Sequence, residues 1–325
     1  MLGASLFPAL CAAMPHPRLL DRVLALDASR HAWRYTGLCI GGRCVGQVLE
    51  EVVVPALLGC RAAASGDAIF ERYAAEAAAS GRALRLTAAA DATFESRTLA
   101  LESATNALIA CGAIARRHGE FFAVTSGWGA EPVALVDRNA AQVLGTTSAG
   151  VHVHCFVPSP DASGMPCVWL AKRAASKSTW PSRWDPTAAG GLPAGFTVRE
   201  NAEKEAAEEA GVSSELFAHA RATGALSMMT SKEDGSCLKQ SLYFNYDLPV
   251  PADWRPHAAD GEVELFRLWT MNELEHEVSY GENLRPAMVG VMADFLIRHG
   301  QITADTSPDF IALQAALHRD RLALC

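Results

Sequence analysis

The segment GGLPAGFTVRENAEKEAAEEAGV, at residues 190–212, restricts the fold of this chain more than any other. Its glutamates Glu205, Glu208 and Glu209 follow an i, i+3, i+4 spacing, which places three carboxylates on one face of a helix. Like charges at this spacing repel each other, and a divalent cation with oxygen ligands would neutralise them. Gly211 is suited to end the helix in the left-handed conformation. The glutamates alone also fit a solvated acidic helix face, so the spacing leaves both interpretations open.

The residues around these glutamates resemble the Nudix box. In that family a glycine is followed by five residues, a glutamate, seven residues and then Arg-Glu-U-x-Glu-Glu-x-Gly-U, where U is aliphatic. Gly190 starts the same spacing here, and Val212 completes it. Two positions differ, because Phe196 stands where the family has its first glutamate and Lys204 replaces the arginine. The resemblance implies an α/β (α+β) fold, the Nudix α/β/α sandwich, preceded by a smaller mixed α/β N-terminal domain.

The resemblance also implies a metal site. Glu205, Glu208 and Glu209 are the positions at which the family binds Mg²⁺ or Mn²⁺. Main-chain carbonyl oxygens near Ala189 and Gly190 would complete the coordination. The two departures from the pattern affect the support of the loop and helix rather than the metal ligands themselves.

The neighbouring residues resemble one branch of the family, the Nudix domain associated with thiamine pyrophosphokinases. The branch has a Trp-x-x-x-Arg strand and a Lys-x-Thr-x-Pro loop, and it lacks the first glutamate of the box. The residues that match here are Trp169, Arg173, Lys177, Thr179, Pro181 and Asp185. Phe196 then becomes a feature of the branch. The N-terminal part resembles the companion domain of that branch through Gly46, Asp137-Arg138 and Gly150-Val151-His152.

Three regions follow from these patterns: an N-terminal companion domain at 1–145, a Nudix hydrolase domain at 146–303 and a C-terminal helix at 304–325. The first region is predicted to contain a hairpin around Gly41-Gly42, and helices at 67–80 and 98–118. Short strands at 121–125 and 133–136 and a helix at 137–144 follow. The second region is predicted to place strands at 151–157, 168–173, 225–230, 241–247 and 262–269 around the acidic helix, with helices at 271–278 and 286–299.

The function implied by the resemblance is metal-dependent hydrolysis of a diphosphate linkage, a reaction at a phosphorus-containing acid anhydride. Thiamine diphosphate or its damaged oxo and oxy analogues would be converted to the monophosphate and phosphate. The general base is predicted among Glu208, Glu209 and Glu262. The alternatives are a nucleoside-diphosphate-X or dinucleotide pyrophosphatase and, less favoured, a non-catalytic Nudix-derived ligand sensor. An isoprenyl-diphosphate isomerase would need a catalytic Cys and Glu that the sequence does not reveal.

Substrate contacts are predicted at Arg173, Lys177, Gly190, Gly191 and His152. The two cations belong to a local basic group in an acidic chain, which fits a phosphate clamp as well as ordinary surface charge. His152 alternates with another histidine on a strand, and core packing explains it as readily as a substrate contact.

Composition excludes several classes of partner. The chain has a net charge of −8, and its sequence shows no basic stripe of the kind that binds nucleic acid. No apolar stretch reaches the ~18 residues that a membrane span needs. The segment MLGASLFPALCAAM is predicted to form an amphipathic helix rather than an export signal, and nine scattered cysteines indicate reduced thiols in the cytoplasm. The expected partner is a small-molecule diphosphate, and a homodimer is left open.

Overall fold

The computed structural model describes residues 17–74, 82–158, 164–177, 179–231, 237–258 and 261–319. The helix predicted for the first 14 residues lies outside them. The strands are β1 (Tyr35–Ile40), β2 (Arg43–Leu49), β3 (Phe70–Ala74), β4 (Arg82–Leu86), β5 (Phe121–Val124), β6 (Ala134–Asp137), β7 (Ser148–Val157), β8 (Cys167–Arg173), β9 (Trp184–Asp185), β10 (Ala188–Gly191), β11 (Arg221–Ser231), β12 (Leu238–Pro249) and β13 (Val263–Thr270).

The helices are α1 (Pro17–Ala25), α2 (Val53–Leu58), α3 (Phe94–Ala110), α4 (Arg138–Val143), α5 (Val198–Ala210), α6 (Ser214–Phe217), α7 (Met271–Tyr280), α8 (Pro286–Arg298) and α9 (Phe310–Leu317), with a 3-10 helix at Ala28–Arg34. None of these described helices is both long and apolar enough to cross a lipid bilayer.

The first sheet has the strand order β2-β1-β4-β3. Strands β1 and β2 form the predicted hairpin, and both turn glycines, Gly41 and Gly42, have positive φ angles of 60° and 71°. The helix predicted at 67–80 is wrong over its described part, because Phe70–Ala74 is strand β3, antiparallel to β4. Buried Phe70 and the tyrosine three residues later belong to a strand, and the alanine-rich stretch that follows suggested a helical period.

The second sheet has the order β11-β12-β7-β8-β13, with β10 paired to β7 and β9 paired to β8. Strand β12 runs along one edge of β7, while the other edge pairs first with β10, at residues 150–153, and then with β8, at residues 156–157. The sheet is therefore split between β10 and β8. Val151 and Val153 of β7 lie in one apolar cluster with the alanines of α5, while the opposite face packs under α8. These layers confirm the predicted α/β sandwich with additional mixed α/β structure before it.

The packing of the chain ends is relevant to the predicted domains. Leu19 and Val23 of α1 share an apolar core with α7, α8 and α9, which come from the opposite end of the chain. Met229 and Leu238, from β11 and the start of β12, lie in the core of the first sheet. Residues from different predicted regions thus share the same apolar cores. The boundaries of the regions 1–145, 146–303 and 304–325 stay a prediction.

The cysteines differ in state. Cys39, Cys60, Cys111, Cys155, Cys167 and Cys237 are free, whereas Cys44 is disulfide-bonded. The prediction of reduced thiols is therefore wrong at Cys44. The spacing of cysteines along a sequence does not determine which thiols meet in space.

Candidate active site

Helix α5 has defined signals at both ends. Its N-cap residue Thr197 accepts a hydrogen bond from the N–H of Glu200 (3.2 Å), and the Glu200 carboxylate accepts one from the Thr197 N–H (2.9 Å). At the other end Gly211 has a φ of 66°, and a Cβ there would lie 2.0 Å from the ring of His257. The helix is thereby fixed between the glycine-containing loop and the sheet.

Three alanines bring α5 close to the sheet. Ala202, Ala206 and Ala210 recur every four residues and are fully buried against the β7 face. Asn201 beside them donates a hydrogen bond from Nδ2 to the carbonyl of Gly191 (2.9 Å). Because the alanines are small and Asn201 is hydrogen-bonded to β10, the helix lies close to this strand. Its glutamates Glu205 and Glu209 can therefore contact β10.

Two of the predicted metal ligands contact β10 directly. A Cβ on Gly190 would lie 2.1 Å from the carboxyl carbon of Glu205, so only glycine admits this carboxylate. Glu209 accepts a hydrogen bond from the N–H of Ala189 (2.7 Å). The structure thus brings together Glu205, Glu209 and the main chain at 189–190, at the split in the sheet.

The third predicted ligand has a different environment. The Lys204 ammonium lies 2.8 Å from Glu208 and 3.3 Å from Glu205, and the Glu208 side chain is 52% exposed. Lys204, the departure from the family pattern, therefore serves as the local counter-charge. Among the residues that the structure describes, no group of three or more His, Cys, Asp or Glu side chains is placed to hold a metal ion. Glu208 would have to leave Lys204 to join the other two.

Burial makes this carboxylate pair electrostatically unfavourable. Burial, together with the charges of Glu205, Asp185 and Glu262, raises the pKa of Glu209 to about 8, although the hydrogen bond from Ala189 opposes the rise. Burial likewise raises the pKa of Glu205, although Lys204 lowers it. Oxygen donors crowded in this way fit a hard divalent cation, because its charge would remove the repulsion.

Glu262, the predicted base outside the helix, precedes strand β13 rather than lying within it. Its carboxylate is 2.5 Å from the ammonium of Lys177, while Glu264 pairs with Lys172 at 2.9 Å. Partial burial opposes ionisation of Glu262, but the hydrogen bond and charge of Lys177 lower its pKa overall. Two residues predicted for separate roles, a base and a phosphate contact, are thus one ion pair.

Arg173 is engaged with its own loop. It lies 2.9 Å from Asp185, and its other nitrogens donate to the carbonyls of Thr179 and Trp180. Trp180 has a φ of 52°, a left-handed conformation that L-residues seldom adopt, so these hydrogen bonds hold a strained loop. The predicted phosphate contact at Arg173 would have to replace one of them.

Arg285 is a residue that the sequence reasoning missed. Its guanidinium lies 2.9 Å from Oδ1 of the buried Asp185, whereas Arg173 contacts the other carboxylate oxygen, Oδ2. The local signal was a charged residue directly before Pro286, at the start of an apolar helix. Nothing in the sequence pairs it with a carboxylate 100 residues earlier.

Neither His152 nor Gly191 is in contact with the carboxylates in the described part of the chain. His152 is buried on the face of the sheet that α8 covers, with Nδ1 3.3 Å from Oδ1 of Asn245 and its ring 4.6 Å from that of Tyr243. Burial lowers the pKa of His152 well below its ordinary value, so the ring is neutral. Gly191 faces Phe122, whose ring would lie 2.6 Å from a Cβ there.

Comparison with known proteins is consistent with this geometry. Residues 150–288 match the sequence profile of the NUDIX domain. "Nudix hydrolase 24, chloroplastic" of Arabidopsis thaliana is 35% identical over 206 residues, which cover 63% of this chain and 55% of that protein. "Nudix hydrolase 20, chloroplastic" of the same plant is 34% identical over 209 residues, which cover 64% of this chain and 54% of that protein.

This chain thus spans about half the length of these curated relatives. Among solved structures, the NUDIX domain of Shewanella oneidensis NrtR, complexed with ADP ribose, aligns with a TM-score of 0.37 and 11% identity. That alignment covers 47% of this chain and 88% of the other.

Proposed function

We propose that the protein hydrolyses a diphosphate linkage in a small molecule, on the premise that residues 150–288 match the NUDIX domain. The observation that carries the proposal is the convergence of Glu205 and Glu209 on residues 189–190. Burial raises the pKa of both carboxylates, which lie against the main chain at the split in the sheet. Such carboxylates destabilise the folded state unless a cation binds to them.

The residues that would hold Mg²⁺ or Mn²⁺ are Glu205, Glu208 and Glu209, with the main-chain carbonyl of Gly190. A divalent cation bound there supplies neutralisation of the diphosphate and activation of water. We assign the general base to Glu262, because it is not needed as a ligand and Lys177 keeps it ionised. Glu208 and Glu209 are the other candidates for the base. Lys177 can donate to a phosphate oxygen when Glu262 takes up a proton.

The substrate that we propose first is thiamine diphosphate, or its oxo and oxy analogues, cleaved to the monophosphate and phosphate. The proposal rests on the resemblance of the loop residues to the thiamine-associated branch. Two of the matching residues, Arg173 and Asp185, form a partly buried ion pair with each other, so the matching residues belong to one connected loop. A nucleoside-diphosphate-X or dinucleotide pyrophosphatase is the second candidate, because the carboxylates act on the diphosphate and not on the organic group. A non-catalytic ligand sensor is the third.

Three further predictions, on location, domain division and assembly, remain proposals. The first is residence in the cytoplasm, although both plant relatives are named as chloroplastic. The second is the division at residue 145 between a companion domain and the Nudix domain. The third is the homodimer.

The test is phosphate release by the wild-type protein from a panel of diphosphates with Mg²⁺ or Mn²⁺. The panel contains thiamine diphosphate, its oxo and oxy forms, ADP-ribose and NADH. We expect turnover of a thiamine compound above all others, and loss of turnover when EDTA removes the metal. Turnover of ADP-ribose or NADH far above every thiamine compound would support the second candidate. Binding without any turnover would support the sensor.

A further inference from the structure

A hairpin from the preceding part of the chain lies against the loop that opens the acidic helix. Strands β5 and β6 form this hairpin, and α4 begins directly after it. The N–H of Ala194 donates to the carbonyl of Phe121 (2.9 Å), and the ring of Phe122 occupies the space above Gly191. Residues before the Nudix domain therefore form one wall of the predicted active site.

Arg138, the first residue of α4, is the cation of this wall. Its Nη1 lies 2.8 Å from Glu120, and its guanidinium carbon is 5.7 Å from the centre of the Phe122 ring. The same carbon would lie 3.3 Å from a Cβ on Gly191. Neighbouring residues of a strand point to opposite faces, so Arg138 and Glu205 flank β10 at successive positions.

The backbone that carries Arg138 is held in place. The carboxylate of Asp137 accepts hydrogen bonds from the N–H groups of His118, Gly119 and Asn139. The N–H of Arg138 donates to the carbonyl of Glu120 (2.9 Å). A side chain on such a backbone begins from a fixed position, which lowers the entropy cost of binding an anion.

Arg138 differs from Arg173 in its available donors. The Arg173 nitrogens are taken by Asp185 and two carbonyls, whereas only Nη1 of Arg138 has a hydrogen-bond partner within the described part of the chain. The Arg138 side chain is also 32% exposed, against 19% for Arg173. A guanidinium binds phosphate through two parallel hydrogen bonds, and Arg138 has the donors to form them.

We propose that Arg138 binds the diphosphate group of the substrate, so that the part of the chain before the Nudix domain completes its active site. This inference rests on the proposed diphosphate substrate. Arg138 would contact the end of the diphosphate that extends past Gly191, away from Glu205. Glu120 would hold the guanidinium until the anion arrives.

The test is the dissociation constant for inorganic diphosphate in the presence of Mg²⁺, measured by calorimetry. Arg138→Gln should weaken binding about tenfold, because a charged hydrogen bond is lost, and Arg138→Lys should recover part of it. For any panel compound that is hydrolysed, Arg138→Gln should raise KM and leave kcat within about threefold. Arg117→Gln is the matched control, because Arg117 is exposed and bonds Asn106 on α3.

Glu120→Gln separates anion binding from a structural role, because it breaks the same ion pair and leaves the guanidinium. We expect it to bind diphosphate as well as the wild type or more tightly. Equal weakening in Glu120→Gln and Arg138→Gln would overturn the proposal, as would wild-type affinity in Arg138→Gln or no diphosphate binding by the wild type. If the wild type binds diphosphate but hydrolyses nothing in the panel, the proposed activity fails while the affinities still decide the role of Arg138.

Discussion

Two helices of equal length, α5 and α8, cover the two faces of the same sheet, and they use their 13 residues differently. Helix α8 buries ten of them, including Met288, Phe295 and Leu296. Helix α5 fully buries only Asn201 and three alanines, and its half-buried Glu205 and Glu209 lie at the split in the sheet. The α8 helix therefore buries more apolar side chains against the sheet than α5 does, whereas α5 places carboxylates there.

This difference has an energetic meaning. Apolar burial stabilises a fold by roughly 25 cal/mol per Å², and large side chains such as those of α8 contribute most of it. Burial of a carboxylate opposes folding unless a cation neutralises it, and Lys204 reaches only Glu205 and Glu208 among the three glutamates. Changes in α8 are therefore expected to affect stability, and changes in α5 are expected to affect function.

The largest expected effect is on stability, in α8. Phe295→Ala should lower the free energy of unfolding by about 3–5 kcal/mol, because Phe295 is fully buried and its removal leaves a cavity. Ile311→Ala is the control; its side chain is 76% exposed, and the expected change stays within about 0.5 kcal/mol. Chemical denaturation followed by circular dichroism measures both. A loss below about 1 kcal/mol for Phe295→Ala would show that α8 is not the stabilising face.

The next effect is on activity, in α5. Glu205→Gln and Glu209→Gln should each lower kcat at least about a hundredfold, because each removes a negative oxygen ligand from the predicted metal site while keeping the side-chain shape. Glu203→Gln is the matched control on the same helix and should keep wild-type turnover. Full activity in either of the first two variants would contradict the assignment of α5 as the functional face.

The smallest effect is a pH dependence of stability without metal. The pKa of Glu209 rises from 4.5 in the unfolded chain to about 8 in the folded one, so its stabilising contribution is present below about pH 4.5 and is lost as the pH rises through about 8. In EDTA, Glu209→Gln should therefore gain stability relative to the wild type as the pH is raised. The expected gain is about 1 kcal/mol, less than the roughly 1.4 kcal/mol per pKa unit that the shift would give without screening, because the Glu209 side chain is only half-buried and solvent weakens the effect. Parallel stability curves would contradict the shift.

Local signals in the sequence predicted both of these helices. The glutamate spacing and Gly211 indicated the last turns of α5 and its end, whereas its start at the Thr197 cap is seen only in the structure. The strands β7, β8 and β13 and helix α8 were also predicted, each within three residues of its bounds. The prediction at 67–80 was wrong because alanine-rich composition resembled a helix where the chain forms β3.

The contacts that complete the site could not be read from local pattern. The pairing of Asp185 with Arg285 spans 100 residues, and the approach of Phe122 and Arg138 to Gly191 joins separate parts of the fold. Such contacts depend on how the sheets pack, which periodicity does not report. The ion pair between Lys177 and Glu262 is a further case, since the sequence indicated each residue but not their contact.

The central claim is that α5 carries half-buried carboxylates for a metal-bound diphosphate. The most direct measurement is the change in Tm when Mn²⁺ and inorganic diphosphate are added together, for the wild type and for a variant carrying both Glu205→Gln and Glu209→Gln. At a ligand concentration of about 100 Kd, the wild type should rise by roughly 5 °C, because ligand bound to the folded state adds about 2.7 kcal/mol. The double variant should show no rise. An equal rise in both proteins would contradict the claim.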